Sequence, residues 1–181
     1  SWLTNPASKA STHYLIDKAG YIYQLVPDDR AAWHAGASHW LDLDSSDIQR
    51  QSLGIELENR NDGRAPYPSA QMAALLVLSR QLVTQYQIVH DMVTRHLDIA
   101  IPHGRKSDPA GFPWAQFKTA LYTHTVIAGP HGAIAQEDRR PGALAARYYP
   151  PGTPIVCDDL TSSYWHTLDH SGFIPVGQVQ A

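Results

Sequence analysis

The sequence predicts an α/β domain, with a mixed central β-sheet flanked by helices, followed by a small all-β, barrel-like module. Three observations carry this. Two β-rich runs, residues 12–17 and 21–26, flank the turn Lys18-Ala19-Gly20 and read as a hairpin. Residues 69–86 repeat apolar side chains at three-four spacing, the mark of a helix with one buried face. After Tyr122, Gly129-Pro130, Pro141-Gly142, Pro150-Pro151-Gly152 and Pro154 punctuate short runs, the texture of strands joined by tight turns. The boundary falls near residue 122, giving domains 1–121 and 122–181.

Bulk properties bound the chain. It has 181 residues, 43% of them hydrophobic, enough to build a core and to exclude global disorder. Its 14 Lys and Arg are scattered and its net charge is −3, so nucleic acid is not an expected partner. No apolar run approaches membrane-spanning length. The single cysteine, Cys157, excludes an internal disulfide and a thiolate-rich metal site. The chain begins at Ser1 with no initiator Met and no export segment, so location cannot be read from targeting signals.

Along the chain, the first ten residues read as a helix end and a loop. The hairpin follows and ends at Pro27-Asp28-Asp29. Residues 31–41 place Trp33, His34, His39 and Trp40 among small residues. This is either close core packing or a wall that contacts sugar or peptide. Leu53 to Asn59 reads as a strand of period two, with Ile55 and Leu57 on one side and Glu56 and Glu58 on the other. Carboxylates on such a strand need a partner, a metal, a catalytic use or solvent. Asn61-Asp62-Gly63 turns the chain. In the helix, Met72, Leu75, Leu76, Ser79, Leu82, Val83 and Tyr86 form the expected buried face. Residues 88–94 are a strand or connector, and 114–122 a last short helix. The expected strands of the module are 125–128, 132–135, 153–157, 163–168 and 172–176.

The stretch 95–114 stands apart. It holds His96, His103, Lys106 and Asp108 among prolines and glycines, without helical or alternating period, and so reads as a loop. An imidazole and a carboxylate are zinc ligands, and a nearby ammonium can stabilise an oxyanion. The plain alternative is a surface turn with solvated charges.

Taken in order, these pieces resemble the type 2 N-acetylmuramoyl-L-alanine amidases, relatives of the peptidoglycan recognition proteins and phage amidase lysozymes. The motifs are Ser11-Thr12-His13-Tyr14-Leu15-Ile16-Asp17, Tyr23-Gln24-Leu25-Val26-Pro27, Ala32-Trp33-His34-Ala35-Gly36, Gly54-Ile55-Glu56-Leu57-Glu58-Asn59, His96-Leu97-Asp98-Ile99-Ala100 and Arg105-Lys106-Ser107-Asp108-Pro109, closed by Phe112-Pro113-Trp114. Six motifs in order over about residues 1–121 make a specific signal.

The resemblance implies a zinc amidohydrolase that cuts the bond between N-acetylmuramic acid and L-alanine in peptidoglycan or muropeptides. It implies His96 and Asp108 as Zn2+ ligands, Glu56 as general base, Lys106 as the oxyanion group, and Trp33, His34 and His13 as substrate-binding residues. In the family a further zinc ligand is a His at the end of the first core strand, ahead of the position of Ser1, so the first domain reads as N-terminally incomplete. That departure sets the alternative: a non-catalytic peptidoglycan-binding protein of the same fold. His103, in a loop longer than the family's, reads as a surface residue rather than a substitute ligand. Residues 122–181 resemble a bacterial Src-homology-3-like wall-binding module, on Pro151-Gly152-Thr153-Pro154-Ile155-Val156, Tyr164-Trp165-His166-Thr167 and Gly172-Phe173-Ile174. A monomer in the cell envelope, periplasmic or secreted, is the expectation.

Overall fold

The computed structural model describes residues 3, 5–136, 145–160, 164–167, 173–175 and 178–180. Contacts divide the chain into two compact units, Ser1–Pro113 and Trp114–Ala181. The helix over 114–122, read from sequence as the end of the first domain, groups with the second unit.

The first unit is built on a three-stranded mixed sheet. Strand β1 (Tyr14–Ile16) pairs antiparallel with β2 (Ile22–Gln24) and parallel with β3 (Ile55–Leu57), in the order β2-β1-β3. The hairpin turn is held by Asp17, whose carboxylate accepts the N–H groups of Ala19 and Tyr21 at 2.9 Å. Gly20 has φ +88, and a Cβ there would lie 2.7 Å from the Ala70 carbonyl oxygen. Turn conformation and close approach therefore both require glycine.

Two helices follow the hairpin. Helix α1 (Ser45–Gln51) starts at Asp44, whose side chain accepts the N–H groups of Ser46 and Asp47, a side-chain N-cap. The sequence reading missed it: Ile48 is its one buried residue, too few to make a stripe. Helix α2 (Ser69–Tyr86) forms over the predicted span. Its buried face is turned from the expected one. Gln71, Leu75, Leu78, Ser79 and Leu82 are buried, while Tyr86 is 45% exposed. Gln71 Nε2 donates to the carbonyls of Ile16 at 2.9 Å and Glu58 at 3.2 Å, tying the helix to the sheet. At the other end, Asp28 accepts the hydroxyls of Tyr14 at 2.6 Å and Tyr86 at 2.9 Å and the amide of Gln24 at 3.1 Å.

The stretch 95–114 is not wholly loop. His96–Ile99 forms one helical turn, α3. Arg95 forks onto Asp98 at 2.7 and 2.8 Å, and Ile99 packs with Ala35 and Ile48. Tertiary burial stabilises a turn too short to show a period. Residues 90–92 form a 3-10 turn, so 88–94 is a connector.

In the second unit, helix α4 (Trp114–Tyr122) buries Phe117 and Leu121. Seven strands follow: β4 (His124–Ala128), β5 (Ala133–Gln136), β6 (Ala145–Tyr149), β7 (Pro154–Leu160), β8 (Tyr164–Thr167), β9 (Phe173–Pro175) and β10 (Val179–Gln180). All pairings are antiparallel, in the order β10-β4-β7-β8-β9-β5-β6. The order is open, ending on β10 and β6, so the expected barrel is not closed among the described residues. The core is thin: Ala128, Ala133, Ala135, Tyr149, Ile155, Cys157 and Ile174. Strands β6 and β10 were not foreseen. Pro141-Gly142, Ser163, Leu168, Gly172 and Val176 lie outside the described residues.

Candidate active site

The parallel pairing of β1 with β3 sets Glu56 opposite Leu15 in the first unit's sheet. Burial pushes the Glu56 carboxyl up from its usual range, and the Asp108 charge adds to this, while His96 and Lys106 oppose it. Three of the residues singled out from sequence are thus close enough to act on the ionisation of the fourth.

His96 and Asp108 meet directly. His96 Nδ1 lies 2.8 Å from Asp108 Oδ2, and His96 Nε2 lies 2.8 Å from the Ala35 carbonyl oxygen. A carbonyl only accepts, so Nε2 carries a proton and donates it. The hydrogen bond from His96 holds the Asp108 carboxyl below its usual range, with further help from the His96 and Lys106 charges.

The Asp108 loop is braced from several sides. The Leu97 N–H donates to the Asp108 carbonyl at 2.9 Å. Asn61 accepts the Ala110 N–H at 2.7 Å and donates to Ser107 Oγ at 3.0 Å. Tyr67 donates its hydroxyl to the Ala110 carbonyl at 3.2 Å and packs edge-on against Phe112. Sequence reasoning saw Asn61 only as part of a turn. Its left-handed backbone, φ 54, is the setting in which an Asn side chain commonly reaches nearby backbone.

The three residues that the resemblance implies for substrate sit in different surroundings. His13 is 1% exposed. Its Nδ1 accepts the Gly54 N–H at 3.0 Å and its Nε2 donates to the Arg30 carbonyl at 2.9 Å. With both nitrogens spent on backbone, it is a structural residue with no group for a ligand. His34 stands near His96, whose charge acts on it, yet it too is committed. Its Nδ1 is 2.9 Å from the Ala32 carbonyl oxygen and its Nε2 is 3.0 Å from Ser52 Oγ. Burial, helped by the neighbouring His13, brings the His34 imidazole down to about 4, so the ring is neutral near pH 7. Trp33 is 55% exposed. It lines a groove with Asn5, Lys9, Ser11 and Leu25, which none of His96, Asp108, Glu56 and Lys106 lines. His103 is exposed.

The donors fit zinc in kind, an imidazole nitrogen beside a carboxylate oxygen. They are two, and no group of three His, Cys, Asp or Glu able to hold a metal occurs among the described residues. A half-buried carboxyl of raised proton affinity and a lysine complete the set. Such a set can accept a proton from water and stabilise negative charge on an amide oxygen.

Comparison with known proteins identifies the family. A profile of the N-acetylmuramoyl-L-alanine amidases matches residues 1–111. N-acetylmuramoyl-L-alanine amidase AmiD of Escherichia coli K12 is 38% identical over 123 residues, 60% of this chain and 43% of that protein. The 1,6-anhydro-N-acetylmuramyl-L-alanine amidase AmpD of Salmonella typhimurium SL1344 is 37% identical over 119 residues, 64% of this chain and 60% of that protein. The chain therefore spans about half the length of these curated relatives. A crystal structure of a selenomethionine AmpD derivative superposes with a TM-score of 0.55 at 36% identity, covering 62% of this chain and 60% of that one. AmpDh3 of Pseudomonas aeruginosa gives 0.52 at 34% identity, covering 65% and 52%. With the profile matching well over half its length and the mixed sheet and helices shared with these structures, the chain belongs to the N-acetylmuramoyl-L-alanine amidase family.

Proposed function

We propose that this protein is a zinc-dependent amidase that hydrolyses the bond between N-acetylmuramic acid and L-alanine in peptidoglycan or muropeptides. The observation that carries the reading is the meeting of His96 with Asp108 beside a half-buried Glu56 and Lys106. His96 and Asp108 would hold the zinc ion. Zinc, when bound, lowers the pKa of a coordinated water towards about 7 and polarises the amide carbonyl. Glu56 takes the proton of the attacking water and passes it to the leaving amine of L-alanine. Its raised proton affinity suits that shuttle, since a base works best near the operating pH. Lys106 faces the negative charge that develops on the carbonyl oxygen. The products are a muramoyl lactyl carboxylate and a peptide beginning with L-alanine. Relatives named for N-acetylmuramoyl and for 1,6-anhydromuramyl substrates match at 38% and 37% identity, so both forms belong to the proposed substrate class.

The test is release of a peptide with a free L-alanine amine from muropeptide, with zinc supplied. Glu56→Gln should lower turnover by about 10²–10⁴-fold and leave zinc binding intact. His96→Ala should lose both. Equal turnover of wild type and Glu56→Gln would remove Glu56 as the base. The two-donor metal set favours one rival, a module that binds peptidoglycan without cutting it. Retained muropeptide binding with no release by the zinc-supplied protein would establish that rival.

The second unit we read as a Src-homology-3-like wall-binding module, on the antiparallel pairing of Pro154–Leu160, Tyr164–Thr167 and Phe173–Pro175. Pull-down on intact sacculi with and without residues 114–181 tests it. The proposed setting is the cell envelope, as a monomer. No helix among the described residues is long and apolar enough to cross a membrane.

A further inference from the structure

The carbonyl that holds His96 sits in a weak spot of the backbone. Ala35 is followed by Gly36, in the left-handed region with φ +60. Glycine there is sterically free and loses the most conformational entropy on ordering. Something outside the turn must fix it if the Ala35 oxygen is to stay 2.8 Å from His96 Nε2.

Two side chains do so. Ser38, 1% exposed, donates its hydroxyl to the same Ala35 oxygen at 2.6 Å. From the far side, Arg105 donates Nε to the Ile101 carbonyl at 2.9 Å and a terminal nitrogen to the Ala37 carbonyl at 2.5 Å. Its guanidinium lies 3.5 Å from where a Gly36 Cβ would stand, so it covers the bare face of the glycine. The strip it closes is itself laced. The Ile101 N–H donates to the Ala37 carbonyl at 3.0 Å, and the His39 N–H donates to the Ile99 carbonyl at 2.8 Å. Ser38 and Ala100 form an antiparallel bridge. Arg105 thus spans two loops, one carrying the acceptor of His96 and the other leading to Asp108.

We propose that Arg105 is a positioning residue for His96. Its planar fork locks the 35–37 turn so that Nε2–H is always engaged and Nδ1 is always the nitrogen turned to Asp108. A lysine would keep the charge but could not bridge two carbonyls in fixed geometry. The inference rests on the proposed zinc reading for its chemical consequence, since partners of a ligating imidazole set metal affinity, but the positioning itself needs no metal.

The test uses the full 181-residue chain with 15N-labelled histidine. In the metal-free wild type, His96 should show a slowly exchanging Nε2–H in long-range imidazole correlation spectra. Arg105→Ala should speed that exchange at least tenfold with the circular dichroism spectrum unchanged. Arg105→Lys should not restore it, and Arg60→Ala, an exposed arginine elsewhere, should leave it alone. Zinc affinity, by competition with a chromophoric chelator, should weaken about 10-fold in Arg105→Ala. An unchanged Nε2–H in both Arg105 variants overturns the proposal, whatever zinc does. Rescue by Arg105→Lys also overturns it, because charge alone would then suffice. Loss of protection in a protein whose wild type binds no zinc supports the positioning and sinks the metal reading instead.

Discussion

A methyl group on Gly54 would sit 2.6 Å from Cγ of His34, closer than any tolerated carbon contact. The ring cannot retreat. Its nitrogens are engaged, and His13 stands edge-on behind it at 5.3 Å between ring centroids. Gly54→Ala should therefore destabilise the protein by about 1–3 kcal/mol, the usual cost of overpacking, read as a lower denaturant midpoint. Because β3 begins one residue later and carries Glu56, turnover should fall as well. An unchanged midpoint would mean that the His34 ring has room to move. The same pair shows where sequence reading stops. His96 and Asp108 were legible because their chemistry is in their side chains. The Ala35 carbonyl was not, since every residue has one and only the fold selects which is used. The backbone and hydroxyl partners of His13 and His34 were hidden for the same reason, since a sequence does not show which groups an imidazole meets.

Among elements, the hairpin and α2 are joined at Asp28, which accepts from Tyr14 on β1, Gln24 on β2 and Tyr86 at the helix end. The Tyr14 phenol is pushed up from 10.0 by burial and by Asp28. Tyr86 is raised by its hydrogen bond to Asp28. A folded-state pKa above the unfolded one means that the native state holds the proton longer. The stabilisation is full below pH 10 and is lost as pH rises through the folded values. Denaturant midpoints should therefore fall steadily above pH 10, and Asp28→Asn should flatten that fall. A slope identical in both proteins would exclude Asp28 as its cause. Helix α2 was legible from its period, but its facing was not: Gln71 is buried through hydrogen bonds that hydrophobicity does not reveal. Strand β6 escaped notice because Ala145-Ala146-Arg147-Tyr148-Tyr149 has no clean alternation. Its Tyr148 earns its place by packing over Gly132, a partner remote in sequence.

At the scale of the whole molecule, the two units have different kinds of core. The first adds polar links between sheet, helix and loops to buried Ile16, Leu75, Leu78 and Leu82, and the second packs small Ala and Cys side chains with Tyr149, Ile155 and Ile174 in an antiparallel sheet. Sequence texture put the boundary near residue 122, where periodic helix gives way to punctuated strand, whereas contacts divide the chain between Pro113 and Trp114. It could not give the order of the seven strands, which depends on long-range pairing. The lone cysteine turns this division into an instrument. Cys157 is fully buried in the second unit, and the chain has no other thiol. Under native conditions a thiol-specific alkylating probe should label the protein only as fast as residues 114–181 open. Labelling as fast as a free thiol in the folded protein would show that core to be open. A slow, denaturant-dependent rate would instead supply, without any engineered tag, a clock that keeps the time of one half of the chain and is blind to the other.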